Sequence, residues 1–135
     1  MKRGRTMRWI TLALTAFLGF ATGNLARANP ALDQPPILVG TTQSLTGRFA
    51  QEGKAQLQGL SMWVHDINTR GQLLGRPVQL VHYDDHSSAQ DVAALYERLI
   101  VEDQVELLIG PYGSELTLVA TEIAEKHQRP ILTAA

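Results

Sequence analysis

Residues 78–110, VQLVHYDDHSSAQDVAALYERLIVEDQVELLIG, decide the fold. Val78 to Tyr83 is a short β-branched and apolar run that reads as a strand, and Asp84-Asp85-His86 is a polar loop after it. Ser87 with Gln90 fits the capping box Ser-x-x-Gln and opens a helix. Val92, Leu95, Tyr96 and Leu99 recur at helical spacing and form its buried stripe. Val105 to Gly110 (VELLIG) is the next strand. A strand, a helix and a strand joined this closely form a crossover unit, which implies parallel pairing.

The alternation continues on both sides. Upstream, Ile37-Leu38-Val39-Gly40 suits a buried parallel strand. Thr41 to Gly53 (TTQSLTGRFAQEG) reads as a loop, and about Lys54 to Thr69 as a helix burying Leu57, Leu60, Trp63, Val64 and Ile67. Gly71 caps its C-terminus. Downstream, Ser114 caps a third helix with Leu116, Val119, Ala120 and Ile123 inward. Arg129-Pro130 breaks that helix, and Ile131 to Thr133 begins a fourth strand. The order β-α-β-α-β-α-β predicts an α/β fold: a parallel sheet with helices on both faces. A complete doubly wound domain usually has five or six strands. Four strands ending at Ala134-Ala135 lead us to expect the front part of a longer protein, or a truncated reading frame.

Charge is segregated along the 135 residues. Residues 1–28 hold Lys2, Arg3, Arg5, Arg8 and Arg27 and no acid. Residues 29–135 hold seven basic residues against thirteen acids, a net −6. So acidic a body argues against nucleic-acid binding, which needs a basic patch. The absence of cysteine excludes disulfides, thiolate metal sites, thiol nucleophiles and a lipid-modified N-terminal cysteine. Basic residues 2–8, the uncharged run Trp9 to Phe20 and the small-x-small site Ala26-Arg27-Ala28 have the layout of a secretory signal peptide. The apolar run is shorter than the roughly 20 residues of a membrane span. The sequence therefore divides into a signal peptide over 1–28, cleaved after Ala28, a proline-rich lead-in over 29–36, and a lobe over 37–135. The expected location is the periplasm.

Ligands of an open parallel sheet bind in the crevice beyond the carboxyl ends of its strands. Pro111-Tyr112-Gly113-Ser114 lies there. Gly113 allows a close turn, and N–H groups at a helix start, with the helix dipole, favour an anion such as a carboxylate. The Ser114 hydroxyl can donate to the same anion, or it can simply cap the helix. Phe49 and Glu52 can project from the preceding loop, Phe49 onto an apolar part of a ligand and Glu52 toward an ammonium group. That loop has neither the Gly-Lys-Ser/Thr signature nor G-x-G-x-x-G, so a nucleotide is poorly supported. Asp84, Asp85 and His86 are adjacent, and adjacent residues rarely converge on one metal ion; a solvated turn is the better reading. No catalytic triad or paired carboxylates can be identified. The expectation is a binding protein with no enzymatic activity, no cofactor and no metal.

The ordered set Ile37-Leu38-Val39-Gly40, Ser44-Leu45-Thr46-Gly47, Ala50, Gly53 and Gly59 resembles the opening of exported branched-chain amino-acid binding proteins, the type I periplasmic binding proteins of ABC transporters. Asp66-Ile67-Asn68 with Gly71 and Gly75, Tyr83-Asp84-Asp85, Ile109 to Ser114, and Arg129 to Leu132 resemble later landmarks of the same family, in the same order. The resemblance implies two α/β lobes joined by a hinge that closes on a ligand, with a membrane permease as partner. It implies that Ser114 binds a ligand carboxylate through its hydroxyl and N–H, and that Ala135 supplies a main-chain contact. Tyr112 and Gly113 belong to the same loop. Glu52 stands where the family often has an aromatic packing on the ligand side chain. This departure argues against a purely aliphatic ligand and leaves polar amino acids, amides and other small carboxylates open. The same lobe design serves extracellular ligand-sensing domains of signalling receptors, the competing reading. A flavodoxin-like or phosphoacceptor domain is disfavoured by export, and an α/β hydrolase by the absence of Gly-x-Ser-x-Gly.

Overall fold

Strand β1 (Ile37–Gln43) is central, and its inward-facing residues alternate between two apolar layers. The computed structural model describes residues 34–134; the expected signal peptide and cleavage site, residues 29–33 of the lead-in, and Ala135 lie outside the described residues. After β1 come α1 (Ala50–Arg70), β2 (Val78–Asp84), α2 (Ala89–Val101), β3 (Leu107–Ile109), α3 (Ser114–Lys126) and β4 (Ile131–Leu132). All pairings are parallel, in the order β2-β1-β3-β4. The α/β expectation holds.

The register explains the two faces. Ile37 and Val39 pair with Val78 and Leu80, and Val39 also faces Leu107. Ile37, Val39 and Val78 form one layer with Val64 and Ile67 of α1. On the other face, Val92, Tyr96, Leu99 and Ile100 of α2 pack with Val105, Leu108, and Leu116, Ala120 and Ala124 of α3. α1 therefore covers one face, and α2 and α3 cover the other. The chain leaves β1 for β2 on one side and returns past β1 to β3 on the other. The strand order thus reverses between β1 and β3, where loops diverge and a crevice opens at the carboxyl ends.

Four boundaries differ from the sequence reading, each for a physical reason. β1 runs on through Thr41, Thr42 and Gln43, which the sequence presents as loop. These polar side chains are fully buried: Thr42 Oγ1 donates to Asp85 Oδ2 (2.9 Å) and Gln43 Nε2 donates to Thr41 Oγ1 (2.9 Å), while Gln43 Oε1 has no partner among the described residues. α1 starts at Ala50 rather than Lys54, because Gly53 must sit on the backbone of Ser44. A Cβ there would lie 2.2 Å from the Ser44 carbonyl oxygen. The cap of α2 is Ser88, whose side chain accepts from Asp91 N (3.3 Å), not Ser87. Ser87 instead ties two loops, donating to Thr46 O (2.9 Å) and accepting from Phe49 N (3.1 Å). The cap of α3 is Gly113, and Ser114 is the first helical residue. Gly71 does cap α1, donating to Ile67 O at φ +127°.

Candidate ligand-binding site

Three segments meet at the carboxyl ends of β1, β3 and β4. They enclose a cavity of about 200 Å³ lined by Gln56, Pro111, Tyr112, Gly113, Ser114 and Ala134. The site lies at the strand-order reversal, between the start of α1 and the start of α3.

Its donor face is the N-terminus of α3. The first intrahelical bond is that of Thr117 N to Gly113 O (2.9 Å), so the N–H groups of Ser114, Glu115 and Leu116 precede it. No side chain caps this end. Gly113 makes the approach possible: its φ of +92° is strained for any other residue, and a Cβ would meet the Phe49 ring at 3.5 Å. Thr117 Oγ1 fastens the loop from inside by donating to Pro111 O (3.0 Å). Ser114 is exposed, as an anion contact must be. Uncapped N–H groups, the helix dipole and a hydroxyl are a set of donors whose chemistry suits an anion.

The rim differs from expectation. Phe49 is not on a free loop. It is half-buried at the start of α1, edge-on to Tyr112 with centroids 5.6 Å apart, and packs on Gly113. Glu52 lies in the first turn of α1 and is exposed, and it is Gln56, one turn further on, that lines the cavity. Arg48 lies over the Phe49 ring at 4.5 Å and pairs with Glu115. Of the residues singled out from sequence, Tyr112, Gly113 and Ser114 come together around the cavity. Ala134, just beyond the fourth strand, also lines it, as the crevice reading expects. Gln56 is not among the residues singled out from sequence, although it shares a helical face with Gly53 and Leu60.

The acidic loop after β2 is a clamp rather than a solvated turn. Asp85 is fully buried and accepts from Thr42 Oγ1, Ser44 Oγ (2.6 Å) and Ser87 N (3.0 Å). Asp84 accepts from Leu45 N (2.9 Å), Thr46 Oγ1 (2.8 Å) and His86 N (2.9 Å). Burial alone would raise the Asp84 pKa, but these hydrogen bonds together outweigh it and hold its carboxyl below the usual range. Both carboxylates are thus spent on holding the Ser44–Phe49 loop against the β2–α2 loop. On the sheet's interior, Tyr96 Oη donates to Ile109 O (2.6 Å), and burial pushes its phenol well up.

Known proteins place this architecture. Residues 36–135 match the family described as periplasmic binding protein. The "Leu/Ile/Val-binding protein" of Escherichia coli K12 is 32% identical over 111 residues, covering 82% of this chain and 30% of that protein. An "amino acid binding protein" of Pseudomonas aeruginosa is 26% identical over 117 residues, covering 87% and 29%. Among solved structures, a branched-chain amino acid transporter substrate binding protein of Streptococcus pneumoniae, in complex with isoleucine, superposes with a TM-score of 0.70 at 26% identity. It covers 73% of this chain and 28% of that one. An ABC transporter solute binding protein of R. palustris, in complex with benzoate, has a TM-score of 0.65 at 28% identity, covering 73% and 27%. The chain thus spans about 30% of the length of the curated relatives it matches. By the matched span, the identity to these relatives and the superposition, the chain belongs to the type I periplasmic binding proteins, the family of the Leu/Ile/Val-binding proteins.

Proposed function

We propose that this chain is a ligand-binding lobe of an ABC-transporter solute-binding component, holding a small amino acid or a related carboxylate or amide for delivery to a membrane permease. The observation that carries the reading is the uncapped start of α3, with Ser114 exposed at a cavity on the strand-order reversal. Ser114 receives the ligand carboxylate through its hydroxyl and N–H. Tyr112 and Phe49 form an aromatic shoulder, and Ala135, next in sequence after Ala134, supplies a main-chain contact. The lobe forms one wall of a cleft whose second wall comes from another lobe, and hinge closure buries the ligand. A cavity of about 200 Å³ is below the roughly 300–1,000 Å³ of ligand pockets, which supports a site completed by that second wall. Residues 1–28 act as a cleaved export signal that places the protein in the periplasm. The role is binding and not catalysis, in keeping with relatives named for what they bind.

The test is a thermal-shift screen of the complete gene product against amino acids, their amides and small carboxylates such as benzoate. The expected result is a raised melting temperature with at least one carboxylate. A charged hydrogen bond contributes about 1.5–3 kcal/mol, so Ser114→Ala is expected to weaken that ligand by about tenfold or more. A flat screen would overturn the proposal.

A further inference from the structure

Gln56 brings to the cavity a carboxamide oxygen, a pure acceptor, where the α3 N-terminus brings donors. It lies one turn beyond Gly53, the glycine that seats α1 on Ser44. Its Nε2 donates to Gly110 O at 3.1 Å. A carbonyl only accepts, so the amide nitrogen must face Gly110, and the orientation of this carboxamide is fixed. Oε1 is then turned away from Gly110 on a side chain that lines the cavity. Among the described residues, no hydrogen bond reaches it. The cavity therefore has donors on one wall, at Ser114 and the N–H groups after it, and a held acceptor on the other.

We infer that Gln56 is a specificity-determining residue, whose Oε1 accepts an N–H from the ligand and selects an α-amino acid over a carboxylate lacking nitrogen. The inference rests on the ligand-binding reading above and names the ligand class for that site. In an α-amino acid the carboxylate and the ammonium are carried by one carbon, so a donor wall and an acceptor lining the same cavity can meet both. A neutral carboxamide fits this role because it accepts from the ammonium without placing a second negative charge beside the carboxylate. Its own N–H, held by Gly110, keeps Oε1 in place before the ligand arrives, which lowers the ordering cost on binding.

The complete gene product is titrated calorimetrically with the twenty standard L-amino acids. The amine-free probes are 4-methylpentanoate and 3-phenylpropanoate, counterparts of leucine and phenylalanine, together with benzoate. Wild-type protein is expected to prefer an amino acid over the amine-free acids by about tenfold or more. Gln56→Leu is expected to shrink that preference to within about threefold while keeping carboxylate affinity. Gln56→Met, closer in shape, serves if the leucine variant does not melt cooperatively. An undiminished preference in both apolar variants would overturn the role of Gln56. Binding of amine-free acids as tight as of amino acids by the wild type would overturn it too, while leaving the carboxylate site standing. Binding of neither class would overturn both readings together.

Discussion

Asp85 shows how a single residue sets the shape of the crevice. It is a fully buried carboxylate held by two hydroxyls and one backbone N–H, all from residues that frame the loops. Asp85→Ala strands those donors without a partner, and each unsatisfied buried group costs about 1–3 kcal/mol. The variant is expected to lose roughly 3 kcal/mol, read as a lower urea midpoint with an unchanged slope; a loss within error would show that water replaces the carboxylate. Glu115 acts in the opposite sense. Its carboxylate stands at the second position of α3, beside the N–H groups a ligand carboxylate needs, and Arg48 offsets it. The pair is more than half exposed, so its effect is small. Glu115→Gln is expected to tighten carboxylate binding, and Arg48→Ala to weaken it, each by up to about fivefold in titration. Equal shifts in the same direction would contradict this.

At the scale of elements, apolar periodicity made the sheet and its helices legible in the sequence. Val92, Tyr96 and Leu99 are buried as their spacing requires, and Leu116 and Ala120 likewise. The polar end of β1 was not legible. Thr41-Thr42-Gln43-Ser44 has the composition of a loop, and Thr42 and Ser44 find their partner only in Asp85, 41 residues beyond Ser44. The start of α1 was hidden for a related reason: Gln51, Glu52 and Lys54 are exposed, so no stripe marks it, and the constraint is the backbone contact at Gly53. Of the site, the loop Tyr112-Gly113-Ser114 was readable from its glycine and its place before a helix. Gln56 was not, because its partner, the Gly110 carbonyl, belongs to another crossover. The carboxylates that join elements also set the acid response. Glu106 is lowered by its hydrogen bond from Arg76, which also donates to Pro35 O and Pro36 O, and Glu97 by those from Lys126 and His127. Asp84 is lowered as described. All three release protons more readily folded than unfolded, so their stabilisation is complete above the ordinary values of 3.8 and 4.5 and is lost as pH falls through the folded values. The urea midpoint is expected to hold between pH 7 and about 5 and to drop steadily below about 4; an unchanged midpoint at pH 3 would contradict it.

For the whole molecule, the two faces of the sheet are unequal. α2 and α3 cover one face, whereas α1 alone leaves Leu107 and Leu132 exposed by 39% and 72% beside Trp63. These residues line an apolar cavity of about 590 Å³. Contiguous apolar surface of this kind associates. The 135-residue chain by itself is expected to enhance the fluorescence of an apolar dye and to self-associate with rising concentration, and Leu132→Lys to reduce both; a dye-silent monomer would contradict this. The carboxyl ends of the strands carry the proposed ligand site. There the strand-order reversal, the uncapped α3 and the acceptor on α1 converge on one small cavity. The most direct measurement is calorimetric titration of the complete gene product, wild type and Ser114→Ala, with amino acids and benzoate. Saturable binding of a carboxylate ligand, weakened about tenfold or more by Ser114→Ala with the fold intact, is the predicted result. Binding that is indifferent to Ser114, or absent with every carboxylate, would contradict the assignment of the ligand to the start of α3.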